Sequence, residues 1–243
     1  MSDKEAKGEI VRKGFEALVG GLIPGYGVLT SMVNFYADIK RERVLQFLDE
    51  FSIALGAITD KTQEEILAIC TTEDFIDILD AVIQKVHMTK SELKIERFKN
   101  LLLKQVVDPE PDYLMSKYVG LIHELNDIQV CMLKRINNQS LEKDKSISLH
   151  FYLTYFGEYV VDNTDSIVIE LTAEKTVNVN CHELQLYLNN LVSLGLVDLI
   201  VKTKLKHPRQ GWVGEKVSLV EKESYKISNS GKLFLEHLTI KVD

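Results

Sequence analysis

The chain has 243 residues, of which 45% are hydrophobic and 27% charged, and its formal net charge is −7. That length holds one large or two small domains, and the composition is that of a folded chain rather than a disordered one. Residues 1–144 carry 18 basic and 24 acidic side chains, and residues 145–243 carry 11 and 12, so neither part has the strongly basic surface expected of a duplex-DNA binder.

Met1 to Lys7 are polar and are expected to fray. The run Ala17–Ala37 then stands apart, because it holds no formal charge. It contains Gly20, Gly21, Leu22, Ile23, Pro24, Gly25, Tyr26 and Gly27. Its length is near the roughly 20 apolar residues that a membrane-spanning helix needs. However, Tyr26, Thr30, Ser31 and Asn34 interrupt it, and Pro24 between glycines breaks or kinks a helix at its centre. The expected local form over about residues 10–37 is two short helical pieces joined by a Pro-Gly-Tyr-Gly corner. Three readings stay open: a buried hairpin whose glycines permit close packing, a segment stored in a soluble form and released into a membrane, and a constitutive transmembrane helix. The residues before the run are mixed in charge, with Asp3, Glu5 and Glu9 among them, which speaks against a cleavable signal peptide. Lys40, Arg41 and Arg43 form a basic collar just after the run and are candidates for contact with anionic headgroups.

A helix is expected through Arg43 to about Ile58, with Val44, Leu48, Phe51, Leu55 and Ile58 on one stripe. Thr62-Gln-Glu-Glu65 resembles a capping box before a short helix that ends at Cys70. Thr72 caps the next helix, whose stripe is Phe75, Leu79, Val82 and Val86. Thr89-Lys-Ser-Glu92 reads as a further capping box, opening a helix with Ile95, Phe98, Leu102 and Val106 on one face. Asp108-Pro-Glu-Pro111 ends that helix and starts another, with Pro111 near its first turn. Leu114, Tyr118, Leu121, Leu125, Ile128 and Met132 keep a near-heptad spacing, which predicts one long helix to about Ile136. Residues 9–137 therefore read as a helical bundle.

The polar stretch from Asn137 to Lys145 is the candidate boundary, giving a helical domain over 1–140 and a second domain over 145–243. Ile147–Phe156 is aromatic-rich and fits helix or strand equally. Asp165–Leu171 reads as a strand, and Asn180 caps a helix over Cys181–Ser193 with Leu184, Leu188, Leu191 and Val192 inward. Gly195 is the natural residue after that helix end. Val197–Leu205 and Lys216–Ile227 read as strands around a loop, and Lys232 to about Leu238 as a last helix. Lys202, Lys204 and Lys206, at strand spacing, share one sheet face. With Arg209 and Trp212 of the loop they are candidates for contact with a partner or phosphate.

The order helix, Leu194-Gly-Leu-Val197, two strands around a loop, then Tyr225-Lys-Ile-Ser-Asn-Ser-Gly231-Lys-Leu-Phe-Leu235 resembles a winged helix over roughly residues 147–240. The fold class expected is therefore mainly α: an N-terminal helical bundle with an apolar hairpin, plus a C-terminal winged-helix-like α+β domain. The whole chain resembles a group of bacterial antiphage-defence-type proteins that combine an Ile-Pro-Gly-x-Gly apolar segment, here Ile23-Pro-Gly-Tyr-Gly27, with a helical middle and a winged-helix-like end. The resemblance implies a non-enzymatic effector of the abortive-infection type. Its trigger would be a phage protein. The protein would be cytoplasmic at rest, and on activation it would become a homo-oligomer associated with the membrane it disrupts.

The residues themselves give no sign of catalysis. The six histidines stand in no metal spacing, and neither a GxSxG elbow nor a phosphate loop is present. Cys70, Cys131 and Cys181 are far apart and show no CxxC spacing, which is expected of buried thiols in a reducing compartment. No cofactor and no metal are expected. The alternative function is a cytoplasmic winged-helix regulatory or interaction protein that binds DNA or a partner. DNA is disfavoured, because Cys181–Ser193 contains no Lys or Arg, although Gln185, Asn189 and Asn190 could reach bases.

Overall fold

The computed structural model describes residues 38–58, 63–70, 72–143, 147–148, 166–173, 175–206 and 218–239. The expected apolar hairpin lies outside the described residues. The described chain is mainly helical with a small amount of sheet. It divides into two compact units: residues 1–125 with 236–243, and residues 126–235.

The first unit is built from α1 (Asp38–Ile58), α2 (Gln63–Cys70), α3 (Glu73–Val86), α4 (Glu92–Val107) and α5 (Asp112–Glu124). The stripes meet in a core where Phe47, Phe75, Phe98, Leu101, Leu102 and Ile122 are each less than 2% exposed. Burying side chains of this size stabilises by about 1.5–3 kcal/mol each. The α3 cap is as expected, with the Thr72 hydroxyl accepting from the Phe75 N–H at 3.3 Å. The α4 cap is not. The helix starts at Glu92, and the Ser91 hydroxyl accepts from the Lys94 N–H at 3.2 Å. Thr89 instead accepts from the Ser91 N–H at 3.3 Å, a local turn that sets the chain up for the cap.

The single long helix expected from Pro111 to Ile136 is two helices. α5 stops at Glu124, and α6 runs over Asp127–Lys143. The reason is a capping box. Asn126 Oδ1 accepts from the Gln129 N–H at 2.8 Å, and Gln129 Oε1 accepts from the Asn126 N–H at 3.0 Å. The apolar spacing survives the break because Leu125 stays fully buried. The polar residues 137–143, read as a break, are the last turns of α6.

The second unit combines α6 with β1 (Ile147–Ser148), β2 (Ser166–Thr172), β3 (Lys175–Asn180), α7 (Cys181–Ser193), β4 (Val197–Lys206), β5 (Ser218–Ile227) and the start of α8 (Asn229–Leu238). The strands form two antiparallel sheets, one in the order β1-β5-β4 and the other of β2 and β3. β3 was not anticipated from the sequence, although its Val177 and Val179 alternate inward. α7 is capped as expected, with Asn180 and Glu183 in a reciprocal box. Its end is a Schellman motif: Leu196 N–H to Leu191 C=O at 3.0 Å and Gly195 N–H to Val192 C=O at 2.9 Å. Gly195 has φ +70, a conformation that costs a side-chain-bearing residue energy.

α8 starts three residues earlier than expected. The Ser228 hydroxyl accepts from the Gly231 N–H at 3.0 Å and donates to the Gly195 carbonyl at 2.6 Å. Gly231 thus sits in the first turn of α8, against β5 and the end of α7. A Cβ there would lie 2.2 Å from the Leu196 carbonyl oxygen.

Candidate functional site

In the first unit, α1 begins where the apolar run of the sequence ends. Lys40 and Arg41 occupy its first turn. Arg43, half-buried, turns back into the protein: its Nη1 donates to the His87 carbonyl at 3.3 Å, at the end of α3. A cation there interacts well with the negative end of the helix.

Arg43 also lines a groove of about 650 Å³ between α1 and α4. The walls are Glu42, Gln46 and Glu50 of α1, Lys90 and Glu92 at the entrance to α4, and Glu96 of α4, with Phe47 and Ile95 supplying apolar surface. Glu50 is already engaged, by Gln46 at 3.0 Å and by Lys99 at 3.3 Å. Lys99 also meets Glu96 at 2.5 Å. Burial alone would push the Lys99 pKa down, but its two carboxylate partners outweigh this and hold it raised. Asp49 is raised by burial. Lys99 thus bridges two of the carboxylates that line the groove, and among the described residues no group of three or more His, Cys, Asp or Glu side chains could hold a metal ion.

A second polar cluster of this unit lies deeper. Gln105 clamps the backbone of Glu110, donating to its carbonyl at 3.0 Å and accepting from its N–H at 2.8 Å. This closes the Asp108-Pro-Glu-Pro111 corner. His237, nearly fully buried, packs against Tyr118 with ring centroids 4.6 Å apart and tilted by 41°, and stands 3.7 Å from Glu110 Oε1. Burial first, then the charges of Glu110 and Glu236 and the neighbouring Tyr113, raise the Tyr118 pKa, so its phenol stays protonated. Asn100 Nδ2 donates to the Leu238 carbonyl at 3.1 Å, satisfying the end of α8. No sequence pattern announces this cluster, because its members come from distant segments.

In the second unit, the three amides that could reach bases are turned inward or toward each other. Gln185 Nε2 donates to the Tyr225 hydroxyl at 3.2 Å and to Asn189 Oδ1 at 3.0 Å. Asn190 Oδ1 accepts from Gln129 Nε2 of α6 at 3.0 Å. The exposed face of α7 is left with His182, Glu183, Leu186, Asn189 and Ser193. Lys202, Lys204 and Lys206 hold alternate positions of β4, opposite Lys222, Val220 and Ser218 of β5.

The candidate segment Gly20–Gly27, with Leu22, Ile23, Pro24, Gly25 and Tyr26, lies outside the described residues, as do Arg209 and Trp212. Among the described residues, no helix is long and apolar enough to cross a membrane. The structure brings Arg43 into the α1–α4 groove and aligns the three lysines along one strand. The two groups belong to different units.

Comparison with curated proteins and with solved structures finds no match. The sequence pattern of one family, described as abortive infection alpha, matches residues 50–238. That span runs from within α1 to the end of α8 and covers well over half of the chain. The chain belongs to the abortive infection alpha family.

Proposed function

We propose that this chain is a non-enzymatic abortive-infection effector, cytoplasmic at rest, that senses a phage protein, assembles into a homo-oligomer and disrupts the membrane through its N-terminal apolar segment. The observation that carries the reading is membership of the abortive infection alpha family. The uncharged, glycine-rich run Ala17–Ala37, which precedes the matched residues, supplies the membrane-active part. Lys40 and Arg41, in the first turn of the helix that follows it, would meet anionic headgroups. Arg43 would have to leave the His87 carbonyl to join them. One segment cannot enclose a pore, so damage requires assembly.

The C-terminal half, in this reading, is a winged-helix-like sensing module. The exposed face of α7 carries an exposed Leu186 and no Lys or Arg, which favours a protein partner over a phosphate backbone. The lysines of β4, with Arg209 and Trp212, would contact that partner. The same face is the reason that the alternative, a cytoplasmic DNA-binding regulator, ranks second.

The test is membrane potential in living bacteria, followed by dye during challenge with a panel of phages. Cells with the intact chain should depolarise before lysis. A variant with Gly25→Leu and Gly27→Leu, at matched protein level, should not. Depolarisation that persists after deletion of residues 1–39 would remove the membrane-active role from this segment.

A further inference from the structure

The three-stranded sheet of the second unit ends on β4, a strand of ten residues. Among the described residues no strand pairs with its outer side. A long unpaired edge is a template for another strand, and proteins blunt it or cover it.

The hairpin register shows which backbone groups face that edge. The Ser228 N–H donates to the Leu196 carbonyl at 3.1 Å, and Val197 stands opposite Ile227. Leu196 is therefore a hydrogen-bonded position of the antiparallel pair. Such positions alternate, so Asp198, Ile200 and Lys202 also turn their backbone groups toward β5. The Ser224 hydroxyl reaches the Ile200 carbonyl at 3.2 Å from the same side. Val197, Leu199, Val201 and Thr203 then present N–H and C=O to the outside. Of these, Leu199 is 42% exposed and Val201 50% exposed, which is unusual for apolar residues at the centre of a strand.

We propose that this edge pairs two copies of the chain, antiparallel, across a two-fold axis at Ile200. Outward-facing positions must meet outward-facing positions, so only registers that place odd numbers opposite odd numbers form a ladder. Centred on Ile200, the pairing sets Leu199 opposite the second copy's Val201, covering both exposed side chains. It also sets Asp198 opposite the second copy's Lys202, twice by symmetry. Centred on Val201, it would set Ile200 against Lys202. Centred on Lys202, it would oppose two lysines, which is unfavourable. Within the hairpin Asp198 stands opposite Lys226 and Lys202 opposite Lys222. The strand is thus self-complementary in hydrogen bonding, apolar surface and charge, which singles out a second copy as the occupant. The pairing makes the resting chain a dimer, the unit from which the assembly of the proposed function would start, and it rests on that reading only for what assembly is used for.

Sedimentation velocity on the full purified chain tests it, with circular dichroism as the check on folding. The intact chain should sediment as a dimer. Val201→Pro removes an outward N–H that the hairpin does not use, and should give a monomer with an unchanged spectrum. Asp198→Lys or Lys202→Asp alone should each weaken the dimer about tenfold, because each substitution is met twice across the axis. The double variant Asp198→Lys/Lys202→Asp should restore it. If Val201→Pro does not fold, the charge series decides alone. An intact chain that stays monomeric up to its solubility limit overturns the proposal. So does a dimer that none of the single variants weakens, or a double variant no better than the singles. Phage-triggered depolarisation that survives in a monomeric Val201→Pro variant would leave the pairing standing and show that the proposed assembly does not start from this dimer.

Discussion

The two units are held together in opposite ways. In the first, helices are joined by large side chains, and Phe47, Phe75 and Phe98 are at most 1% exposed. In the second, the joint between α7, β5 and α8 depends on side chains being absent. Gly195 turns the chain with φ +70, and Gly231 lets the backbone of α8 approach that of Leu196. Ser228 ties both glycines together through one hydroxyl. The lesson is that a helical bundle tolerates local backbone choices as long as its stripes remain. A unit of short helices and hairpins concentrates its specificity in a few backbone positions, where one added methyl group has no room.

That contrast predicts unequal responses to substitution, best read by hydrogen exchange followed peptide by peptide. Phe98→Ala should show the largest effect, a loss of about 3–5 kcal/mol felt in the peptides of α1, α3 and α4. A small change there would mean that the bundle core collapses around the vacancy and is less specific than its burial implies. Gly231→Ala should come next, at about 1–3 kcal/mol, confined to β5, α7 and α8. Gly195→Ala should cost about 1 kcal/mol, since it meets no neighbour and suffers only from its φ. If the two glycine variants proved equal, close approach would not be what sets Gly231 apart.

Asn126→Ala should cost about 1 kcal/mol by opening the reciprocal cap of α6. Faster exchange should appear at the start of α6, while α5 stays protected. Loss of protection through both helices would mean that they behave as the single helix their apolar spacing describes.

The smallest effect concerns pH. Burial, then the nearby positive charges of Lys85 and Lys94, lower the His123 pKa below its ordinary value of 6.5. The unfolded chain therefore takes up the proton first as pH falls. The stability contributed by the neutral imidazole is present above pH 6.5 and is lost as pH falls toward the lower folded value. His123→Gln should flatten the decline of thermal stability in that window. An unchanged slope would assign the acid sensitivity to other groups.

What the sequence alone determined is what neighbouring residues decide among themselves. The stripe of α3, the buried positions Val44, Leu48 and Phe51 of α1, the Thr72 cap, the Asn180 cap and the Gly195 turn are local, because a helix end satisfies its own N–H and C=O groups within four residues. The resemblance to antiphage-defence proteins agrees with the family match over residues 50–238, although the Ile23-Pro-Gly-Tyr-Gly27 motif on which it leaned lies outside that match. Two local signals were present but outweighed. Asn126-Asp-Ile-Gln129 has the spacing of a capping box, yet the apolar rhythm runs through it because Leu125 remains buried on both accounts. Val177 and Val179 alternate as a strand, but over too few residues to declare one without β2 beside them.

Tertiary structure decided the rest. Arg43 belongs, by composition, to a basic collar, and only folding brings the His87 carbonyl within its reach, 44 positions away in the chain. Gln129 and Asn190 meet across 61 positions, and Gly231 is required only because Leu196 passes 2.2 Å from where its Cβ would be. Such contacts leave no trace in residue type or spacing, because the partner that makes a side chain useful, or a methyl group intolerable, is chosen by the packing of whole elements and not by the neighbours in the chain.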